Sequence, residues 1–247
     1  MIRHLLRLVW NRKRANALIM VEIFLSFLVV FAVAVLGASS WLDLRKPVGF
    51  DWRGVWYLEL SAGNEREWFE EQIPVLRQVL RELERMGEID AATAASGLPF
   101  DGNMSIHGGN KDGNEFFAEH VTTTPGFAEV FGVELAAGRW FEEADTAPGP
   151  GAVVVNRAFA RTLFGDEDPL GRTLPVGAFR EERRIVGVVD EFRKSGELGE
   201  RRDDNFFFEL YPPENEETVL TNFALRLAPG VGPEFEQELV RRVEALA

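Results

Sequence analysis

Residues 17–38 read ALIMVEIFLSFLVVFAVAVLGA, an apolar run with a single charge at Glu22. As a helix rising ~1.5 Å per residue it is about 33 Å long. The hydrocarbon core of a bilayer is about 30 Å thick, so the run spans it with a modest tilt. Trp10 and Trp41 stand outside its two ends, where amphipathic aromatics favour the headgroup level. Arg3, Arg7, Arg12, Lys13 and Arg14 all precede the run, which predicts a cytoplasmic N-terminus, with residues from about 43 onward on the other side. A cleaved signal peptide is the competing reading, because the basic start fits and Gly37-Ala38-Ser39-Ser40 resembles a cleavage site. A signal core is only about 7–15 residues long, however, and the amphipathic stretch from Ile2 to Trp10 exceeds what a signal needs. The run reads as an uncleaved transmembrane helix over 15–42, behind a cytoplasmic amphipathic segment over 1–14. Glu22 lies near the cytoplasmic end, where it either snorkels to the interface or faces other helices.

The chain carries 27 basic and 40 acidic residues. Residues 1–42 hold five of the bases and one of the acids, which leaves 22 bases against 39 acids beyond them, a net of −17. Such a domain repels nucleic acid, and no basic stripe interleaved with aromatics offsets this. A hydrophobic content of 46% with 20 Phe supplies a real core and argues against disorder. Without cysteine there is no disulfide and no thiolate metal site.

Beyond a linker containing Pro47 and Gly49, Val55 to Leu60 is β-rich and bounded by the turn Ser61 to Asn64. Glu65 to Met86 is helical, with Phe69, Ile73, Leu76, Leu80 and Leu83 on one face, Pro74 kinking it or starting its regular part, and Gly87 ending it. Glu88 to Ala95 follows as a strand and completes a β-α-β unit. The end of the chain repeats half of this: a strand over Asn222–Leu227, then a helix from Pro233 with Phe235, Leu239, Val243 and Leu246 on its apolar face. Helices on one face of a sheet make an α+β domain. The middle is turn-rich. Asp101 to Gly113 is a loop or hairpin, Glu115 to Val121 a strand, and Pro125 to Phe131 a short helix. Ala152 to Asn156 is a strand and Arg157 to Phe164 a helix. Arg184 to Val189 and Phe206 to Tyr211 are further strands.

Five pieces of this middle occur in a specific order: Pro125-Gly126-Phe127; Phe131-Gly132-Val133-Glu134-Leu135 running into Gly138-Arg139-Trp140-Phe141; Val153 to Arg161 around Asn156; Asp168-Pro169-Leu170-Gly171-Arg172; and Ile185-Val186-Gly187-Val188-Val189-Asp190. In that order, behind a basic amphipathic stretch and one transmembrane helix, the chain resembles the periplasmic core domain of MacB-like and FtsX-like ABC transporter permeases. The family pattern often has an acid where this chain has Arg157. The resemblance implies a porter-like βαβ extracytoplasmic subdomain from 43–100 and 213–247, with a smaller α/β subdomain inserted over 101–212. It implies a permease subunit in a bacterial cytoplasmic membrane that couples ATP hydrolysis by a separate ABC ATPase to movement of its extracytoplasmic domain, for export or mechanotransmission. The implied partners are that ATPase, a second permease subunit in a homo- or heterodimer, and a periplasmic adaptor protein. Such permeases typically have four transmembrane helices, with this domain between the first and second. A chain ending at Ala247 therefore reads as a truncated product or a fragment. A single-pass anchored binding or sensor domain is the alternative.

The motif residues Pro125, Gly126, Gly138, Arg139, Phe141, Asn156, Asp168, Pro169, Leu170, Gly171 and Gly187 read as holders of a fold, with glycines at tight turns or close backbone approaches and Pro169 fixing a turn after Asp168. No enzymatic constellation emerges. There is no Walker sequence and no dinucleotide fingerprint. His107 and His120, with Asp101 and Asp112, match no ligand-spacing rule. Asp101, Asn103 and Ser105 resemble the start of an EF-hand, but Ile106 stands where the loop needs Gly and Asp112 where it needs Glu. Ser96 and Ser105 lack a nucleophile-elbow setting. The acid pairs Glu142/Asp145 and Asp166/Asp168 read as solvated loop charge, and the run Glu197 to Asp204 as an exposed loop. No cofactor or metal is expected, and the cargo is not legible.

Overall fold

The computed structural model describes residues 13–60, 68–111, 113–146, 150–176, 181–196, 204–211 and 220–246. The amphipathic stretch 2–10, the turn 61–64, the helix start 65–67, Asp112 and most of the charged run from 197 lie outside the described residues, as do the side chains of Phe69, Ile73 and Leu76. The chain divides into two compact units, residues 1–46 and 47–247.

The first unit is a single helix, α1 (Lys13–Asp43). Its segment Ala17–Asp43 is long and apolar enough to cross a membrane, with none of its apolar window buried. An exposed apolar surface of that extent calls for an apolar surrounding. Glu22 is one of the exposed side chains along it.

The second unit runs β1 (Val55–Glu59), α2 (Trp68–Leu83), β2 (Ile89–Ala95), β3 (Ile106–Lys111), β4 (Asn114–Thr123), α3 (Phe127–Phe131), β5 (Leu135–Gly138), a 3-10 turn (Glu143–Thr146), β6 (Ala152–Asn156), α4 (Arg157–Phe164), β7 (Thr173–Val176), β8 (Glu181–Val189), β9 (Phe206–Leu210), β10 (Asn222–Leu227) and α5 (Phe235–Glu244). Among the described residues these strands form one sheet in the order β1-β10-β2-β4-β9-β6-β8-β5, with β3 on β4 and β7 on β8. The β-α-β unit expected at the start is split: β10 lies between β1 and β2, antiparallel to both. The two ends of the chain therefore interlock within one stretch of sheet.

The helices α2 and α5 pack Val79, Leu83, Phe235, Leu239 and Val243 against Ile89, Ala92, Ala94, Phe223 and Leu225 of β2 and β10. Val79 is fully buried although the periodic stripe did not include it, and Pro74 sits inside α2. A second core gathers Phe127, Phe131, Phe141, Phe192, Phe206 and Phe208 around α3. A third packs Phe159 and Phe164 of α4 on Val153, Val155, Ile185 and Phe207. Phe206, Phe207 and Phe208 alternate across β9, so one strand feeds both of these last two cores. Two short strands escaped the sequence reading. All four residues of β5 are exposed, so it shows no alternation. In β7, Pro175 marks an edge position.

Candidate functional site: a corner built from the motif glycines

Four of the five motif pieces close one corner, and the remaining one lies on β6, paired in parallel with the fifth piece on β8. Gly126 precedes α3 so close to β2 that a Cβ there would overlap the Ala92 carbonyl oxygen. The preceding residue, Pro125, accepts a hydrogen bond at its carbonyl from Trp140 Nε1 at 2.8 Å, which ties the first piece to the second. At the end of β5, Gly138 holds φ 71, and a Cβ on it would overlap Val186 O. On the facing strand, a Cβ on Gly187 would overlap Arg139 O. The Arg139 amide donates to Val186 O at 3.0 Å, so β5 and β8 cross with room for hydrogen only at both positions.

The fourth piece closes the corner. The Asp168 carboxylate accepts from the Leu170 amide at 3.0 Å, an Asx turn that aims Leu170 over Gly138. Gly171, with φ 77, then donates its amide to Ile185 O at 2.8 Å and locks the turn to β8. Phe141 is buried beside Trp140, ring centroids 4.8 Å apart.

Arg139 and Asp145 contradict the solvated reading of the loop acids. The guanidinium binds both oxygens of Asp145, whose side chain is 3% exposed, and also donates to Trp140 O at 2.9 Å. The Glu142 amide donates to Asp145 Oδ2 at 3.0 Å. The Arg139 hydrogen bond is the main reason that the Asp145 carboxyl sits below the usual carboxylate range. Glu142 remains exposed at the rim, and Asp166 and Asp168 are exposed as expected.

Asn156, in the remaining piece, is buried between β6, α4 and β9. Its Oδ1 accepts from the amides of Phe159 (2.9 Å) and Phe206 (3.1 Å), and its Nδ2 donates to Asp204 O at 2.6 Å. It is at once the N-cap of α4 and the anchor of β9. Arg157 beside it pairs with Asp190.

Among the described residues, no group of three or more His, Asp or Glu could hold a metal ion. The Asp101 carboxylate accepts from the Leu98 and Asn103 amides and pairs with Lys194 Nζ at 2.7 Å. Ser96 Oγ accepts from the Thr122 amide. His120 stacks on Phe207 at 5.2 Å with His107 edge-on 6.3 Å away, and burial lowers the pKa of both.

Sequence reasoning missed Lys194 and Arg226. Lys194 is buried, pairs with Asp101 and also donates to Asn103 O. Arg226 donates to Val130 O, Arg53 O and Asp51 O, which no spacing in the sequence announces.

Solved structures share this architecture. The periplasmic region of MacB from Actinobacillus actinomycetemcomitans aligns with a TM-score of 0.56 at 16% identity, covering 83% of this chain and 88% of that one. The extracellular domain of the noncanonical ABC-type transporter YknZ from Gram-positive bacteria aligns with a TM-score of 0.53 at 13% identity, covering 76% and 91%. The fold is thus that of the extracytoplasmic domains of ABC-type transporters. The chain itself belongs to the MacB-like periplasmic core domain family, whose family model matches residues 17–242, helix and domain together. No curated protein matches it in sequence.

Proposed function

We propose that the chain is a permease subunit of a MacB/FtsX-type ABC transporter, coupling ATP hydrolysis in a separate ATPase to movement of its extracytoplasmic domain. The observation that carries this is the family match running unbroken from residue 17 through the membrane-length helix into the domain. In this reading α1 spans the bacterial cytoplasmic membrane with its basic end inside. A second permease subunit completes the assembly, and a periplasmic adaptor receives the cargo or the motion. The porter-like subdomain comprises 43–100 and 213–247, with 101–212 inserted.

The residues just beyond α1 support a mechanical role. Val48 O accepts from the Arg193 amide at 2.9 Å, and the Asp51 amide donates to Phe131 O at 2.7 Å. Gly49, at φ 84, lies against the Glu191 carbonyl with no room for a Cβ. Arg226 holds the carbonyls of Asp51 and Arg53. A pull on this segment is delivered to the domain, because its backbone is bonded to the end of α3, to the residues just past β8 and to the Arg226 side chain of β10. Such a machine needs two domain arrangements, each favoured by a different nucleotide state.

The test is co-purification of the full-length gene product from native membranes. An ABC ATPase that co-purifies, and whose hydrolysis rate depends on this subunit, fits the proposal. Purification without any ATPase would instead favour a single-pass anchored binding or sensor domain.

A further inference from the structure

Two reverse turns on the domain each present an aromatic side chain to solvent. In Trp52-Arg53-Gly54-Val55 the Val55 amide donates to Trp52 O at 3.3 Å, and Gly54 takes φ 69 at the third position. In Leu98-Pro99-Phe100-Asp101 the Asp101 amide donates to Leu98 O at 3.3 Å, and Phe100 occupies the equivalent position with φ 65. Positive φ at that position alone is the type II pattern, which calls for glycine. Phe100 is the one non-glycine residue with positive φ among the described residues.

Surrounding bonds brace both turns. The Phe100 amide donates to Lys194 O at 2.9 Å, and the Lys194–Asp101 pair holds the far side of the turn. The Tyr57 hydroxyl donates to Pro99 O at 2.9 Å. Gly196 leaves space for the Phe100 ring that a Cβ would fill. Arg226 fixes the carbonyls on either side of Trp52. The two rings meet edge to face at 6.1 Å, yet Trp52 is 53% and Phe100 48% exposed. Glycine at 100 would complete the same turn without strain, so the ring is not there to serve the turn; one edge packs on buried Phe50, ring centroids 5.5 Å apart, and the rest stays open to solvent. Strain that its surroundings over-determine points to a use at the surface.

The covalent chain narrows the choice of what the rings meet. Trp52 is nine residues beyond Asp43, the last residue of α1, and nine extended residues span at most about 32 Å. Between α1 and the domain, residues 43–53 carry Arg45, Lys46 and Arg53 against Asp43 and Asp51, a net of +1 beside a domain that is strongly acidic. Trp prefers the headgroup layer, and basic side chains beside it favour anionic lipid. We infer that Trp52 and Phe100 form a lipid-docking surface that seats in the headgroup layer of an anionic membrane. This rests on α1 crossing the bilayer.

The absence of cysteine permits single-site reporters. The variants Asn103→Cys, beside the Phe100 turn, and Arg161→Cys, on α4, are labelled with bimane in the full chain. Each is placed in nanodiscs of phosphatidylcholine and phosphatidylglycerol carrying shallow doxyl-labelled lipid. Failure of the chain to remain in the nanodiscs counts against anchoring by α1 and is read before any quenching. Once the chain is retained, quenching at 103 is expected to exceed that at 161 roughly twofold or more and to fall to the level at 161 in Trp52→Ser/Phe100→Ser. Phe100→Gly, which suits the turn, is expected to reduce the quenching while leaving Tm within a few degrees, which separates docking from unfolding. Equal quenching at the two sites, or quenching unchanged in the double variant, overturns the inference. So does quenching at 103 that follows the number of chains per nanodisc and not the anionic lipid, because the rings would then face a second copy.

Discussion

Arg139 and Asp145 are joined by two parallel hydrogen bonds, Nη1 to Oδ2 at 2.6 Å and Nη2 to Oδ1 at 2.7 Å. The pair seals the turn that follows β5, at the corner where the motif glycines meet. Asp145→Asn is expected to destabilise the domain by about 1–3 kcal/mol, the range for a hydrogen bond to a charged group with a partner left unpaired. Denaturant titration measures it. The effect has a pH signature. Because the folded carboxyl titrates below its unfolded value of about 4, its contribution is present above that pH and lost as pH falls through the lower folded value. The gap between wild type and variant should therefore close only in strong acid.

The glycines of the corner differ in what restrains them, so their alanine variants should differ too. Gly187→Ala and Gly126→Ala drive a Cβ into backbone carbonyls that cannot yield, and each is expected to cost about 2–4 kcal/mol. Gly171 has nothing within 4 Å of the added carbon and only its φ of 77 to strain, so Gly171→Ala should cost about 1–2 kcal/mol. Equal losses across the three in thermal melts would refute the close-approach argument.

Asn156 satisfies two buried amides and donates to one carbonyl. Asn156→Ala strands all three and is expected to cost about 2–4 kcal/mol. Asn156→Asp keeps the acceptor but loses the donor to Asp204 O, so its melting temperature should fall between wild type and Asn156→Ala.

His107 and His120 are both held below the ordinary imidazole pKa, chiefly by burial. A lowered folded pKa means that the unfolded chain takes up protons first as pH falls. Their contribution is complete above about pH 6.5 and is lost as pH drops through the lower folded values. Melting temperature should decline over that interval, and His107→Gln/His120→Gln should flatten the decline. An unchanged slope in the double variant would show that the loss lies elsewhere.

Local features were legible wherever one residue type dominates. The bounds of α4 were read directly, because Asn156 caps it and Gly165 follows Phe164. The strands β1, β6 and β9 were found from β-branched and aromatic runs, β10 from its alternation, β2 as the strand that follows α2, and α5 from its apolar face. Two strands were not legible: β5 is four small or exposed residues without alternation, and β7 contains a proline. The candidate site was half legible. Its glycines and Asn156 could be named, but not the partners that make each necessary. Asp145 read as solvated because its bond to Arg139 arises only when the turn after β5 folds back. Lys194 and Asp101 are 93 residues apart in sequence, and Arg226 reaches Asp51 across 175.

By itself, then, the sequence determined a membrane-length apolar helix, an acidic α+β domain beyond it, and the ordered motif pieces that mark the family. These rest on composition, period and order along the chain, each set by near neighbours. Only the tertiary structure decided that β10 parts β1 from β2, that four motif pieces close one corner, and that Trp52 and Phe100 stand together at the surface. Those relations depend on contacts between residues far apart in the chain, whose energy exists only once the sheet has brought them together.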